Sequence, residues 1–185
     1  MHLTIIGCSS GAPSTKASTS SYLLDVGDKR YLLDCGDGTA AAFKRLGIDP
    51  NSIDNILISH MHSDHAMGLP FLVQTMYLFK RTKPLKIYLP REAEDGFKRL
   101  FYLTYLFFEK LGFEITFTGV EKGFSFEENN MRIEFHLNTH LQVDINKTYI
   151  INRSIPNRMQ CFSIIVTSDD NKKFVYSADI GSIDD

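Results

Sequence analysis

The apolar run Ile56-Leu57-Ile58 leads almost directly into His60-Met61-His62-Ser63-Asp64-His65, and this junction constrains the chain more than any other segment. A short aliphatic, partly β-branched run reads as a buried strand. Where such a strand ends in imidazoles and a carboxylate, those polar groups must find partners, because burying them unpaired is costly. Three of the six histidines fall within these six positions, and a surface cluster of no consequence is a poor account of that density. Alternate residues in extended backbone point the same way, so His60 and His62 can converge on one cation. A loop after them can carry Asp64 and His65 to a second cation. Neutral imidazole with carboxylate is ligand chemistry for zinc, with iron or manganese as alternatives.

The rest of the chain reads as strands with a few helices interposed, which makes a layered α/β class the natural one. Leu3–Cys8, Ser20–Val26 and Arg30–Leu33 are strand-like, with Gly27-Asp28 suited to a tight turn between the last two. Thr39 can cap a helix running to about Leu46 and closed by Gly47. Helical spacing follows over Gly68–Lys80, then a strand over Leu85–Leu89 and a long helix over about Glu92–Leu111. Strand alternation returns at Glu114–Thr118, Met131–Leu137, Phe162–Thr167 and Phe174–Ser177, with a hairpin turn at Asp169-Asp170-Asn171. Gln142–Gln160 is polar and aperiodic and reads as a surface loop.

Two later residues sit where α/β folds place ligands, at the carboxyl ends of strands. His140 closes Asn138-Thr139-His140 after the Met131–Leu137 run, and Asp179 closes Ser177-Ala178-Asp179 after the last strand. Each alone would pass for a turn residue. Their joint placement after the histidine cluster makes them candidate metal ligands. His2 is terminal and His136 lies within a strand, so both read as structural.

With 185 residues, the length suits a single domain spanning 1–185. Lys+Arg 20 against Asp+Glu 22 leaves a formal charge of −2, which argues against a chain basic all over and leaves RNA to local patches. Cys8, Cys35 and Cys161 have no clustered spacing, as reduced thiols in a cytoplasmic protein would. Cys35 reads as buried packing. No apolar run reaches membrane-spanning length and no secretory leader is evident, so no membrane partner is expected. Lys80, Arg81, Lys83 and Lys86 form a basic cluster that reads first as a solvated helix end and second as a phosphate contact. Phe97, Phe101, Leu103, Tyr105, Leu106, Phe107 and Phe108 make one helix unusually aromatic. Core packing is the first account of it, and a homodimer contact the second.

Strand-ending Asp34, the run His60-x-His62-x-Asp64-His65, His140 and Asp179 match, in order, four of the five motifs of the metallo-β-lactamase fold. The opening resembles one branch, ribonuclease Z, the tRNA 3′-end endonuclease: Ile6-Gly7-Cys8-Ser9-Ser10-Gly11-Ala12-Pro13, Ser20-Ser21-Tyr22-Leu23-Leu24, Asp34-Cys35-Gly36-Asp37-Gly38-Thr39, Ile58-Ser59-His60 onward and Gly68-Leu69-Pro70. The likeness is dense over residues 3–72 and later rests on His140 and Asp179 alone. It implies an αββα four-layer sandwich and a metal-dependent hydrolase. His60, His62 and His140 would hold a first metal, Asp64 and His65 a second, with Asp179 bridging. A hydroxide between two Zn2+ ions would be the nucleophile, with Asp64 as its general base or orienter. Asp34 would hydrogen-bond a ligand histidine to fix its tautomer. The implied substrate is a tRNA precursor. A small phosphodiester, a lactone or another ester is the alternative, and a silent metal-binding fragment a further one. Two departures stand out. The family's fifth-motif histidine and its last helix, strand and helix are not in the chain, which runs only six residues past Asp179. The expected fold is therefore incomplete at its C-terminal end, with a second metal short of one ligand. A glycine-rich basic arm for tRNA is also missing; Gln142–Gln160 carries Lys147, Arg153 and Arg158 but no glycine.

Overall fold

The computed structural model describes residues 1–12, 14–141 and 158–185. The apolar runs at the start of the chain become β1 (His2–Gly7), β2 (Ser21–Val26) and β3 (Lys29–Leu33), an antiparallel meander in which Gly27, at φ 59, makes the turn between β2 and β3. The sheet then changes sense. α1 (Thr39–Leu46) leads to β4 (Asn55–Leu57), and α2 (Ser63–Ala66) and α3 (Leu69–Leu78) lead to β5 (Leu85–Pro90). α4 (Glu94–Leu103) leads to β6 (Ile115–Val120), and β3, β4, β5 and β6 pair in parallel. A second, antiparallel sheet contains β7 (Ser125–Glu128), β8 (Met131–Leu137), β9 (Phe162–Thr167) and β10 (Lys173–Tyr176) in the order β10-β9-β8-β7.

The middle of the first sheet, β2 to β5, is buried on both faces, and strand alternation decides which residue goes where. Leu23, Leu32, Ile56, Ile87 and Leu89 face the helices, packing with Phe43, Leu72, Val73, Met76, Phe97 and Phe101. Their strand neighbours Leu24, Tyr31, Leu33, Leu57 and Tyr88 face the second sheet, against Ile133, Phe135, Phe162, Ile164 and Val166. The described residues thus form three layers in the order helix, sheet, sheet.

Several local expectations are corrected. Thr39 begins α1 and does not cap it: Gly38, at φ 79, holds the cap position, and Thr39 Oγ1 donates to the Gly36 carbonyl at 2.7 Å. The long helix over Glu92–Leu111 is only α4, flanked by 3₁₀ turns at Arg91–Ala93 and Phe108–Lys110. It stops because Tyr105 turns left-handed (φ 61) and the Leu106 N–H returns to the Phe101 carbonyl at 2.8 Å. Phe97, Phe101 and Leu106 are core, but Leu103 and Tyr105 are 77% and 81% exposed. β7 was not expected; it pairs with β8 through Asn129-Asn130, both at positive φ as a two-residue hairpin of the I′ type requires. Most of the expected Gln142–Gln160 loop, residues 142–157, lies outside the described residues.

The basic cluster also differs from expectation. Arg81 is 3% exposed, and its guanidinium donates to the carbonyls of Asn51, Ile53, Lys83 and Pro84. Lys83 pairs with Asp54 and Lys86 with Glu128. Arg81, Lys83 and Lys86 therefore fasten the starts of β4 and β5, at the end of the strands opposite the histidines, while Lys80 is exposed just past α3 as a solvated helix end.

Candidate metal centre

The parallel arrangement of β3 and β4 brings their carboxyl ends side by side, so Asp34 lies beside the His60–His65 loop. In the second sheet β8 and β10 both run antiparallel to β9. They therefore share a direction, and His140 and Asp179 emerge at one edge. The structure brings His60, His62, His140 and Asp179 together with one ligand atom from each within 4.8 Å of the others. His60 Nε2 lies 3.1 Å from His62 Nδ1, and His140 Nε2 lies 3.4 Å from the same atom.

Asp64 and His65 stand next to this group. His65 Nε2 is 3.6 Å from Asp64 Oδ2 and 3.5 Å from Asp179 Oδ1, while Asp179 Oδ2 is 3.5 Å from His140 Nε2. The two oxygens of Asp179 thus face different histidines. Gly11 allows the first loop to close over Asp64: a Cβ there would sit 3.3 Å from the carboxylate.

Asp34 is fully buried and accepts four hydrogen bonds. Oδ1 takes the Ser59 N–H at 2.7 Å; Oδ2 takes Ser59 Oγ at 2.8 Å, His65 Nδ1 at 2.7 Å and the Tyr176 hydroxyl at 2.6 Å. These bonds fix two tautomers. With Nδ1–H committed to Asp34, neutral His65 carries its lone pair on Nε2, facing Asp64 and Asp179. Ser59 gives its proton to Asp34, so its oxygen accepts from His60 Nδ1 at 2.9 Å and the His60 lone pair is also on Nε2, aimed at His62.

Burial pushes His60 down to about 3, and the nearby His65 adds to this against the opposing pull of Asp34. Burial acts in the same direction on His65, but the bond to Asp34 and its charge outweigh it and raise His65 above the ordinary imidazole range. Burial, then Asp34, raises Tyr176, which stays a hydroxyl donor.

The donor set fits a divalent cation. Imidazole lone pairs and carboxylate oxygens face one another at 3.5–3.6 Å, an arrangement that repels unless positive charge lies between them. Nitrogen and oxygen donors of this kind suit zinc, iron or manganese. Ser59, Tyr176 and the buried Asn138, which binds the loops carrying His140 and Asp179, were not singled out from sequence; only their adjacency to His60, Asp179 and His140 could have marked them. Cys35 is buried in the helix-side core.

A family model described as "Anti-Pycsar protein Apyc1" matches residues 1–184. Ribonuclease Z of Parabacteroides distasonis is 34% identical over 119 residues, covering 64% of this chain and 38% of that protein. Ribonuclease Z of Methanothermobacter thermautotrophicus is 33% identical over 136 residues, covering 72% of this chain and 42% of that protein. The chain thus spans about two fifths of the length of these curated relatives. Among solved structures, human tRNase Z, short form, aligns with TM-score 0.74 at 21% identity, over 97% of this chain and 70% of that one. The metallo-β-lactamase fold protein YhfI from Bacillus subtilis aligns with TM-score 0.69 at 22% identity, over 96% and 61%. The fold and the ribonuclease Z likeness read from the sequence are both borne out, and a match over nearly every residue places the chain in the Apyc1 (anti-Pycsar protein) family of the metallo-β-lactamase fold.

Proposed function

We propose that the protein is a metal-dependent phosphodiester hydrolase working at this centre. The observation that carries the reading is the convergence of His60, His62, His140 and Asp179 on one point, with Asp64 and His65 alongside and Asp34 setting a tautomer. His60, His62 and His140 would hold one cation, Asp64 and His65 a second, and Asp179 would bridge them. Such cations supply Lewis acidity at a phosphoryl oxygen and lower the pKa of water. The chain's own residues do the rest. Asp34 holds the His65 Nδ1–H, so that the neutral ring presents its lone pair on Nε2. Asp64, half-buried beside His65, offers a carboxylate oxygen as the proton acceptor. Cys8, Cys35 and Cys161 are all free thiols, which supports the cytoplasm as the compartment. A homodimer through α4 belongs to the same reading, supported by the exposure of Leu103 and Tyr105.

For substrate, the likeness to ribonuclease Z supports a tRNA precursor cut at its 3′ trailer. A small phosphodiester is the second reading. It is favoured by the position of Arg81, Lys83 and Lys86, which are paired or buried at the far edge of the sheet and not turned toward the centre. The test is turnover of a tRNA precursor and of bis(p-nitrophenyl) phosphate by the full-length protein, with His62→Ala and Asp64→Ala alongside. We expect metal-dependent hydrolysis of at least one substrate and lower metal content in both variants. Trailer-specific cutting selects the nuclease, and cleavage of the small ester alone selects the second reading. No turnover of either, with metal still bound, would leave a binding protein and sink the proposal.

A further inference from the structure

The geometry points to Asn138 as the positioning residue that joins the His140 and Asp179 arms of the centre. The inference rests on the metal-binding reading above. β8 and β10 are separated by β9, so their ends would lie about 10 Å apart if both chains ran straight on. Yet His140 Nε2 and Asp179 Oδ2 stand 3.5 Å apart. The imidazole and the carboxylate reach toward each other over that gap, and the Asn138 amide ties the two loops behind them.

Asn138 is 8% exposed, and both ends of its side chain are used. Oδ1 accepts the His140 N–H at 3.1 Å. Nδ2 donates to the Asp179 carbonyl at 2.9 Å and contacts the Ser177 carbonyl and Ser163 Oγ at 3.3 Å each. The orientation of the amide is settled by these partners, since an N–H on one side demands the oxygen and carbonyls on the other demand the nitrogen. The carbonyls of Ser177 and Asp179 flank Ala178, whose φ of 54 is left-handed. A residue with a Cβ rarely adopts that conformation without a surrounding structure that imposes it. Asn138 supplies that structure, gripping the chain on both sides of the turn that aims Asp179 inward. Ser163 Oγ, donating to the Ser177 carbonyl at 2.9 Å, braces the same turn.

An outer tie works in parallel. The Asp185 carboxylate accepts from Thr139 N at 2.9 Å and Thr139 Oγ1 at 2.7 Å, and from the N–H groups of Gly181 and Ser182. Gly181 is essential to this approach, because a Cβ there would lie 2.5 Å from the Thr139 carbonyl oxygen. Asp185 is exposed, whereas Asn138 holds its bonds away from water.

The experiment is competitive titration of Zn2+ into the metal-free full-length protein, wild type against Asn138→Ala, with melting of the metal-free forms as the parallel readout. Loss of a group that orients ligands weakens metal binding on the order of 10- to 100-fold, and that is the shift expected for N138A in the temperature range where it is folded. A role in stability alone would lower melting and leave affinity unchanged, and that result would overturn the inference. Should N138A not fold, Ser163→Ala removes the brace and one Asn138 contact while keeping the bond to the Asp179 carbonyl, and about tenfold weaker binding is expected; wild-type affinity in S163A would count against the proposal. A wild-type protein that takes up no Zn2+ would overturn the functional reading and this inference together.

Discussion

Asp34→Asn replaces one oxygen of a buried acceptor by an amide nitrogen and tests the geometry of the centre at its most connected point. The carboxylate takes four donors, one on Oδ1 and three on Oδ2. An asparagine does least damage by turning its NH₂ toward the Ser59 N–H, which keeps three bonds and sets two donors against each other. The loss is then one charge-assisted bond, about 1.5–3 kcal/mol, plus a buried N–H left unpaired, about 1–3 kcal/mol. Taken together, D34N should be about 2.5–6 kcal/mol less stable. At about 2–4 °C per kcal/mol for a chain of this size, melting should fall by about 5–24 °C. His65 would also lose the charge that commits its Nδ1–H, so zinc affinity should drop about 10- to 100-fold. The assay is scanning calorimetry of metal-free and metal-loaded protein with a competitive zinc titration. Asp37→Asn, on an exposed aspartate three residues away, is the control and should change stability by less than about 0.5 kcal/mol. If D34N melts with the wild type and binds zinc equally well, the reasoning about Asp34 is wrong.

Two further predictions concern the scaffold. Glu128 accepts from Lys86, Asn55 and Tyr31, joining the end of β7 to the first sheet. Burial raises its carboxyl, but the bond from Lys86 and then that from Asn55 outweigh it and the net shift is downward. A depressed carboxylate stabilises above its ordinary value and loses that contribution as pH falls through its folded one, so Glu128→Gln should cost about 1–3 kcal/mol at pH 7 and less at pH 3. Urea melts at the two pH values check this, and an equal loss at both would contradict it. Ala178→Gly should relieve the left-handed strain at φ 54 and stabilise the protein by about 0.5–1 kcal/mol after the entropy of glycine is counted; a lower melting temperature would show that the Ala178 methyl is needed.

The parts of the centre that the sequence made legible were those whose chemistry is local. His60, His62, Asp64 and His65 follow directly on a strand whose apolar pattern is plain, the last two on the short α2, and His140 and Asp179 each come soon after an alternating run. The β3, β4 and β5 strands were legible because each carries a run of buried apolar residues, Leu32-Leu33, Ile56-Leu57 and Ile87-Tyr88-Leu89, that faces both layers. What stayed hidden depends on distance in the chain. Tyr176 reaches Asp34 across 142 positions and Asn138 reaches Asp179 across 41, and no periodicity announces either. Arg81 looked like a solvated cation because charge alone says nothing about four carbonyls waiting in the interior. β7 was missed because it is four residues long, although Asn129-Asn130 is a fair hairpin signal. The long aromatic helix failed at Tyr105 because helix spacing cannot report a left-handed residue that ends it.

The most direct test of the account is anomalous X-ray scattering from crystals of the full-length protein grown with zinc, measured on both sides of the zinc absorption edge. A peak is expected within ligand distance of His60, His62 and His140 and a second beside Asp64 and His65, with Asp179 between them. A zinc peak elsewhere on the protein, or none at this centre in zinc-saturated crystals, would contradict it.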